Sequence, residues 1–273
     1  MLALRGERMS HELHHFSMGM WVFFLAWLTS IVGCYIGLTC ARRARQATVR
    51  REKRRWTALA SVATGGIGVW LMHFTGMIGF EIPGAIVRFN IWLTLLSVVL
   101  AVGATWFGLS VVDVDEPWMQ WVPDGLRLPL GGVIMGLGVG AMHYSGMAAI
   151  RVAGTLDQAV PYVLASLAIG IMAAFTALWL SLEVDRRAVR FPAAVLMGCA
   201  VVALHYTGMA GISVVLDPLA ELPEGMTAVA LLFPGFVVGV IALAITVVLL
   251  MAAPSDQDLQ HEYEIADWID DVR

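Results

Sequence analysis

The stretch LMHFTGMIGF (residues 71–80) occurs twice more in nearly the same form, as AMHYSGMAAI (141–150) and ALHYTGMAGI (203–212). Each copy has a histidine, an aromatic residue, a small hydroxyl residue, a glycine and a methionine in one fixed order, inside an otherwise apolar segment. Five matched positions in three copies are not expected from low-complexity sequence, so they indicate an internal repeat. The fold must explain why an apolar chain keeps the same polar groups at three equivalent places.

The composition of the chain indicates a membrane protein. Hydrophobic residues make up 59% of the 273 residues and charged residues only 14%, and the mean hydropathy is +0.78. A soluble domain of this length has too little interior to bury that much apolar surface. Apolar runs long enough to cross a bilayer as helices occur seven times, at residues 17–40, 56–80, 90–112, 129–150, 158–182, 192–215 and 227–252. We therefore predict an all-α, polytopic fold with seven transmembrane helices.

The three motifs fall near the ends of the second, fourth and sixth predicted spans, and the spans that follow them contain no copy. This arrangement predicts one leading helix followed by three repeated helix pairs, with a repeat of about 60–70 residues. The predicted domains are an extracytoplasmic N-terminal segment (1–15), a seven-helix membrane domain (16–252) and a short acidic cytoplasmic tail (253–273).

The distribution of basic residues predicts the orientation in the membrane. Eight Arg and Lys residues lie between the first two spans, from Arg42 to Arg55, and Arg186, Arg187 and Arg190 lie between spans five and six. Because cytoplasmic loops carry an excess of basic residues, we predict that the N-terminus is outside and the C-terminus inside. The basic cluster is expected to contact membrane lipid. No nucleic-acid partner is expected, because no nucleic-acid-binding motif accompanies the charge.

Helical spacing places the polar groups of each motif on one face. Residues separated by three, four and seven positions lie along the same side of an α-helix. In every copy, the histidine shares this stripe with a glycine seven residues earlier and with the glycine and methionine that follow it. Glycines on the stripe allow close helix packing; they are Gly66, Gly76, Gly136, Gly146, Gly198 and Gly208. The histidines are therefore predicted to face neighbouring helices rather than lipid, where an imidazole is costly.

All three motif helices are predicted to cross the membrane in the same direction, so their histidines should meet at one depth near the extracytoplasmic face. Each histidine has a methionine four residues later on the same helical face, a spacing that suits chelation. Imidazole and thioether form a neutral, soft ligand set, which in a low-dielectric bundle tolerates a monocation better than a dication. This set favours Cu(I) over Zn(II). The predicted metal ligands are His73, Met77, His143, Met147, His205 and Met209.

Further groups near the motifs are predicted to support or extend the site. The hydroxyl side chains are candidates to orient the imidazoles, although Thr and Ser can also bond to carbonyls of their own helices; they are Thr75, Tyr144, Ser145, Tyr206 and Thr207. Additional candidate ligands flank two of the histidines or precede the first span; they are Met72, Met142, His14 and His15.

Other interpretations of these residues remain open at this point. Imidazoles in membrane bundles also form hydrogen bonds between helices without any ligand, and methionine is a common packing residue. A haem held by His and Met is a further alternative, although the chain has no CxxCH attachment motif. The segment His11–His15 matches the HExxH pattern of zinc peptidases, but no third ligand lies in frame. The cysteines Cys34, Cys40 and Cys199 lack CxxC spacing and are predicted to be free core residues.

The repeated tetrapeptide resembles the MHYT domain, a bacterial integral-membrane sensory module. The resemblance extends from the first span to the seventh, over about residues 15–252. The departures are Phe74 for tyrosine, Ser145 for threonine and Leu204 for methionine, so one copy lacks the aromatic hydroxyl and another lacks the preceding thioether. The matching residues, each set followed by Gly-Met, are Met72-His73-Phe74-Thr75, Met142-His143-Tyr144-Ser145 and Leu204-His205-Tyr206-Thr207.

The resemblance implies a multi-pass protein of the bacterial plasma (inner) membrane with a copper site near its outer face. It also implies sensing of a diatomic gas such as oxygen, CO or NO. Many relatives join this domain to cytoplasmic diguanylate cyclase or phosphodiesterase modules. No such catalytic domain is recognisable here, so enzymatic activity is not expected, and an unidentified cytoplasmic protein is expected to carry the output.

The main functional prediction is therefore a copper-binding membrane sensor that responds to a diatomic ligand or to copper itself. A copper transport or trafficking protein is the alternative, with the histidine ring as a ligand filter. A copper-dependent membrane oxidoreductase is a third hypothesis, although no motif marks a quinone or substrate pocket.

Overall fold

The seven predicted transmembrane helices are present. A computed structural model of the protein describes residues 18–113, 121–217 and 219–253, and this part of the chain contains seven helices that are long and apolar enough to cross a membrane. The fold class predicted from the apolar runs is confirmed. In chain order the helices are α1 (Trp21–Gln46), α2 (Arg50–Met77), α3 (Ile91–Val111), α4 (Asp124–Ala148), α5 (Val160–Glu183), α6 (Arg187–Ala210) and α7 (Ala228–Ala252).

The motif helices begin earlier than the apolar runs predicted. α2 begins at Arg50 rather than near residue 56, α4 at Asp124 rather than near 129, and α6 at Arg187 rather than near 192. Arg, Lys and Glu have high helix propensity, and an acidic residue in the first turn, such as Glu52 in α2, complements the helix dipole. Hydropathy therefore marks where a helix enters the apolar layer, and the helix itself begins about one and a half turns earlier.

Two small antiparallel sheets, which were not predicted, lie at the motif end of the bundle. β1 (Arg88–Phe89) pairs with β2 (Ile150–Arg151), and β3 (Gly154–Gln158) pairs with β4 (Ile212–Leu216). The sequence of β4, ISVVL, is rich in β-branched residues and alternates between buried and exposed positions. For this reason α6 ends at Ala210 rather than at residue 215. The fold is thus helical with a short strand cap over the histidine end.

Helices α1 to α6 form a closed ring of neighbours. α1 contacts α2 and α6, α3 contacts α2 and α4, and α5 lies between α4 and α6. α2 is the most enclosed helix. In its most apolar stretch of 18 residues, 72% is buried inside the structure, whereas the corresponding share for α7 is 6%. α7 packs against α2 near Trp70 and Leu71, and most of its surface remains exposed, as expected for a helix that faces lipid.

α2 changes from α-helix to π-helix over Val62–Leu71, immediately before the first motif. The wider turn of a π-helix moves a residue seven positions before the histidine off the histidine face. A Cβ atom at Gly66 would lie 3.5 Å from Val102 Cγ2, which is an ordinary contact. A Cβ atom at Gly65 would instead lie 2.6 Å from Thr105 Oγ1. The prediction that Gly66 makes the close approach was wrong, and Gly65 makes it.

The equivalent glycines of the other two copies pack closely, as predicted. A Cβ atom at Gly136 would lie 2.8 Å from the backbone nitrogen of Ile171 in α5. A Cβ atom at Gly198 would lie 3.3 Å from the backbone nitrogen of Ile31 in α1. Both glycines therefore let two helix backbones approach each other, and this contact fixes how far α4 and α6 stand from their neighbours.

The basic loops lie at the end of the bundle opposite the motifs. Arg45 near the end of α1 pairs with Asp185, between α5 and α6, at 2.7 Å. Lys53 in the first turn of α2 pairs with Asp113, after α3, at 2.6 Å. The molecule thus has a histidine end and a basic end, and the orientation of its termini across the membrane stays a prediction.

Candidate metal centre

The three motif histidines meet at one point inside the bundle. His73 of α2, His143 of α4 and His205 of α6 are each 1% exposed. His73 Nδ1 lies 2.9 Å from His205 Nδ1 and 3.2 Å from His143 Nδ1. The three rings stand nearly perpendicular to one another, with centroids 4.8 to 5.5 Å apart. The predicted meeting of three imidazoles from separate helices is therefore what the structure has.

Each imidazole also packs against the motif glycine of another repeat. His73 Nε2 faces Gly146, His143 Nε2 faces Gly208, and His205 Nε2 faces Gly76. The contacts therefore form a cycle, in which each repeat supplies one histidine to a second repeat and one glycine to the third. A Cβ atom at Gly76 would lie 2.7 Å from the facing nitrogen, and one at Gly146 would lie 2.6 Å from it. The motif glycines are therefore required as space for an imidazole, in addition to the close helix packing predicted from their spacing.

Ordinary hydrogen bonds between the imidazoles do not account for both short nitrogen–nitrogen contacts at the centre of this ring. His73 Nδ1 makes two short contacts, to His143 Nδ1 and to His205 Nδ1. A neutral imidazole nitrogen carries either one hydrogen or one lone pair, so His73 Nδ1 can make only one of these contacts as a two-centre hydrogen bond. Three lone pairs directed at a shared centre suit a cation instead. Across the described residues, these three histidines form the one cluster of His, Cys, Asp and Glu side chains close enough to share a metal ion.

An aromatic residue supports each imidazole. The side chains of Phe74, Tyr144 and Tyr206 lie with ring centroids 4.8, 4.9 and 4.8 Å from the histidine that precedes them. The rings meet edge to face in all three copies, a favourable arrangement for aromatic pairs. Phe74 preserves this contact without a hydroxyl, and it is 1% exposed. The aromatic position of the motif therefore fixes the imidazole plane whether or not it carries a hydroxyl.

The predicted methionine ligands are buried near the ring, in two different surroundings. Met77, Met147 and Met209 are at most 2% exposed and belong to the main apolar core, as does Met142. Met72 instead belongs to a separate cluster with Ala26 of α1 and other residues on the α6 side. The methionine after each histidine thus shares one environment in all three copies, and the ligand role of these thioethers stays a prediction.

The motif hydroxyls bond away from the imidazoles where their partners are known. Thr75 donates to the Leu71 carbonyl at 2.7 Å, and Ser145 donates to the Met142 carbonyl at 2.9 Å. These are bonds within the same helix, one of the two outcomes considered for them. Tyr144 shares a hydrogen bond with Ser166 of α5 at 2.5 Å. Tyr206 and Thr207 are half-buried. A role for these five hydroxyls in orienting the metal ligands stays a prediction.

A ring of valines, missed in the sequence, lies one helical turn below the histidines. Val69, Val139 and Val201 each stand four residues before a motif histidine, and all three line one small cavity of about 30 Å³. Met135 and Met197, eight residues before their histidines, line the same cavity. The repeat frame contains this signal, because valine occupies the same position in all three copies. The histidine ring is therefore separated by an apolar layer from the rest of the bundle axis.

Several other predicted residues lie elsewhere or outside the described residues. His14, His15 and the HExxH segment belong to residues 1–17, which the structure does not describe. Cys34 and Cys40 are buried and free, as predicted. Cys199 is exposed in a groove between α1 and α6. The prediction of a core position for Cys199 was wrong, because hydropathy cannot distinguish a helix face that packs from one that meets lipid.

Comparison with known proteins identifies the repeat. Residues 66–122 and 136–194 match the MHYT family, the bacterial signalling protein N-terminal repeat. The chain is 38% identical over 189 residues to the bifunctional diguanylate cyclase/cyclic di-GMP phosphodiesterase MucR of Pseudomonas aeruginosa, covering 67% of this chain and 26% of the relative. It is 32% identical over 240 residues to the cyclic di-GMP phosphodiesterase NbdA of the same species, covering 85% of this chain and 29% of the relative.

An uncharacterized signaling protein of Caulobacter vibrioides is 31% identical over 199 residues, which covers 71% of this chain and 23% of the relative. The chain thus spans about a quarter of the length of these curated relatives. No solved structure matches the chain.

The fold and the repeats together define a membrane-embedded sensory domain of bacterial signalling proteins. The chain belongs to the MHYT family and is a multi-pass protein of the bacterial inner membrane. The third copy, with His205, lies outside the two matched ranges, yet its imidazole completes the same ring.

Proposed function

We propose that this protein is a membrane sensor in which His73, His143 and His205 hold a copper ion, with Cu(I) as the favoured form. The observation that carries the proposal is the convergence of three buried Nδ1 atoms whose contacts hydrogen atoms cannot all satisfy. Metal–nitrogen bonds of about 2.0 Å would separate three ligand nitrogens by roughly 3.3–3.5 Å. The two separations of 2.9 and 3.2 Å are within a few tenths of an ångström of that range.

The chemistry of the surroundings supports a monocation. The ring lies among apolar and neutral side chains, and its ligands carry no charge of their own. Burying a dication there would require anionic ligands to offset its desolvation. Haem is disfavoured by the same geometry, because two axial nitrogens on opposite faces of the iron stand about 4 Å apart, whereas here three nitrogens crowd one centre.

A bound copper ion would supply a coordination site for a diatomic ligand such as oxygen, CO or NO. The protein's own contribution is to keep the imidazoles apart from water and in one orientation. The aromatic residues hold the ring planes from the side, and the valine layer below excludes polar groups from the bundle axis. We therefore propose that the sensed species is a small neutral molecule that enters from the histidine end, or copper itself.

The cyclic contacts offer a physical route from the metal to the helices. Each imidazole belongs to one repeat and packs against the glycine of another, as His73 does against Gly146. Any change in the distances between the three nitrogens must therefore move α2, α4 and α6 relative to one another. Such small rigid shifts of packed helices are a common form of switching. The basic ends of the same helices would carry the movement to the other side of the membrane.

The output is proposed to be cyclic di-GMP turnover on the cytoplasmic side. Two relatives are named as cyclic di-GMP enzymes, and the positive-inside bias assigns the basic end of the bundle to the cytoplasm. A cytoplasmic protein or domain of that enzyme class would respond to the positions of α2 and α6. In this orientation the histidine ring lies near the extracytoplasmic face.

Copper transport is the second candidate, and one observation favours it. Cys34, Met135 and Met197 line the small cavity below the valine layer, so soft sulfur ligands continue along the bundle axis from the histidine ring. A transporter should change copper accumulation in cells that produce it. A sensor should leave accumulation unchanged and alter cyclic di-GMP levels.

The test of the proposed function is metal analysis of the detergent-purified protein beside a His73/His143/His205 triple alanine variant. We expect copper in the native protein and a loss of at least tenfold in the variant. Because removal of three buried rings can disturb the fold, the helix content of both proteins is measured by circular dichroism, and each single His→Gln variant is analysed as well. Equal copper content in native protein and folded variants would end the proposal.

A further inference from the structure

Four arginines and an aspartate lie close together at the basic end of the bundle. Arg42 and Arg45 lie near the end of α1, Arg187 and Arg190 lie at the start of α6, and the acid is Asp185. We call the four arginines the inner arginine cluster. Asp185 Oδ1 is 2.7 Å from Arg45 Nη2 and 4.0 Å from Arg42 Nε, and the Asp185 side chain is 70% exposed. An exposed, water-screened carboxylate such as that of Asp185 offsets little of the charge of Arg45, with which it pairs.

Arg190 is the buried member of the cluster. It is 3% exposed, and its guanidinium donates to Thr39 Oγ1 at 3.3 Å and to the Asp185 backbone carbonyl at 3.2 Å. Both acceptors are neutral. Among the described residues, neither the buried Arg190 Nε nor the buried Arg45 Nη1 has a hydrogen-bond partner. Buried guanidinium donors without partners are costly, so the cluster offers donors that an anion with several oxygens would satisfy.

A cavity next to the cluster provides room for such an anion. It measures about 280 Å³ and lies between α1, α2, α3 and α5. Arg45 and Lys53 form its basic wall, and Lys53 is already paired with Asp113 at 2.6 Å. The rest of the lining is mostly apolar and includes Leu109 and Leu182. The cavity therefore combines the Arg45 guanidinium and a Lys53–Asp113 ion pair, both of whose members line it, with an apolar floor at the level where the spanning helices end.

We propose that the inner arginine cluster and this cavity bind the headgroup phosphate of an anionic phospholipid. Guanidinium groups bind phosphate oxygens through paired hydrogen bonds, and the apolar floor suits the glycerol and upper acyl carbons of a lipid. Because Arg45 belongs to α1 and Arg190 to α6, the lipid would tie together the inner ends of two neighbouring helices. The site is independent of the metal centre at the opposite end and does not rest on the proposed function.

The test uses the full chain in detergent, titrated separately with phosphatidylglycerol, phosphatidylcholine and inorganic phosphate. Bound lipid is counted by native mass spectrometry, and thermal unfolding gives an independent affinity. We expect one tightly held phosphatidylglycerol, with phosphatidylcholine and inorganic phosphate each at least tenfold weaker. Arg190→Gln should weaken phosphatidylglycerol binding at least tenfold, because it removes the buried charge and three of the five N–H donors.

The matched control is Arg186→Gln, which removes the same charge from an exposed position immediately before α6. It should change phosphatidylglycerol binding by less than twofold. Arg190→Lys keeps the charge but loses the planar guanidinium that forms paired hydrogen bonds. Its affinity for phosphatidylglycerol should therefore lie between that of Arg190→Gln and that of the native protein. Should Arg190→Gln fail to fold, Arg45→Gln takes its place, since Arg45 borders the cavity.

Three outcomes would overturn the proposal. Equal effects of Arg186→Gln and Arg190→Gln would mean diffuse attraction to a basic surface. Inorganic phosphate binding as tightly as phosphatidylglycerol would mean a site for the free ion. Equal binding of the two phospholipids would mean that the headgroup charge is not recognised.

Discussion

His73 Nε2 faces Gly146 so closely that a Cβ atom at that glycine would lie 2.6 Å from the nitrogen. Two repeats of the chain therefore meet at an imidazole and a glycine, and the same pair recurs twice more around the ring. The contact joins a candidate metal ligand to the helix of another repeat, so it can be tested by adding a single methyl group.

Gly146→Ala should displace the His73 ring and weaken copper binding at least tenfold. Overpacking of a close contact of this kind costs about 1–3 kcal/mol of stability, and the imidazole is the group that must move. Copper content of the purified variant measures the effect. Gly103→Ala in α3 is the control, because no atom lies within 4 Å of a Cβ placed there. It should keep native copper content and gain up to about 1 kcal/mol from the removal of a helical glycine. Equal copper content in the two variants would refute the steric role of Gly146.

Replacement of Met77, Met147 and Met209 by leucine should remove sulfur from the first coordination sphere of the copper-loaded protein. The swap conserves volume and should cost less than about 1.5 kcal/mol at each position, so the imidazoles should stay in place. X-ray absorption at the copper edge distinguishes sulfur from nitrogen neighbours. Met72→Leu, in its separate cluster, should leave the spectrum unchanged. If the spectrum of the native protein contained no copper–sulfur contribution, the imidazoles would be the only protein ligands of the copper and the methionine prediction would be wrong.

Tyr144 and Ser166 should be energetically coupled, because their hydroxyls share a hydrogen bond between α4 and α5 at 2.5 Å. A double-mutant cycle with Tyr144→Phe and Ser166→Ala should give a coupling of about 0.5–1.5 kcal/mol in unfolding free energy. Tyr144→Phe also imitates copy one, where Phe74 occupies the same position, and should therefore retain copper. A coupling free energy near zero would mean that this hydrogen bond contributes nothing to stability.

The predicted orientation gives a direct labelling result. In intact cells, a membrane-impermeant maleimide should react with Glu81→Cys at the histidine end and leave Arg50→Cys at the basic end unlabelled. Both positions are exposed, so access depends on the side of the membrane. The parent protein, with its own three cysteines, sets the background. Labelling of Arg50→Cys alone would reverse the orientation and put the histidine ring at the cytoplasmic face.

The seven helices and the meeting of the three histidines could be predicted from the sequence. Three copies of one motif in equivalent helices constrain each other, so the depth and direction of His73, His143 and His205 could be inferred together. A single HxxxM would not have supported this inference. The seven helices followed from hydropathy alone, because backbone groups in lipid leave few other structures.

Other features could not be predicted, because they depend on contacts between distant parts of the chain. No residue pattern in Val62–Leu71 predicts its π-helical conformation. Because of that conformation, the close contact with α3 occurs at Gly65 rather than at Gly66. The strand Ile212–Leu216 is five residues long and continues an apolar run, so hydropathy assigned it to the preceding helix. The partner of the Tyr144 hydroxyl, Ser166, lies on a helix that carries no motif.

The π-helical segment has a consequence for the symmetry of the protein. It occurs in the helix that carries His73 and precedes that residue, and His73 is also the histidine whose Nδ1 has short contacts to both others. The three copies are thus not equivalent, because among the described motif helices only the first has a π-helical segment before its histidine. A chimera that replaced residues 66–78 by residues 136–148 would keep a residue of the same class at every motif position, and it should remove this asymmetry from the first copy.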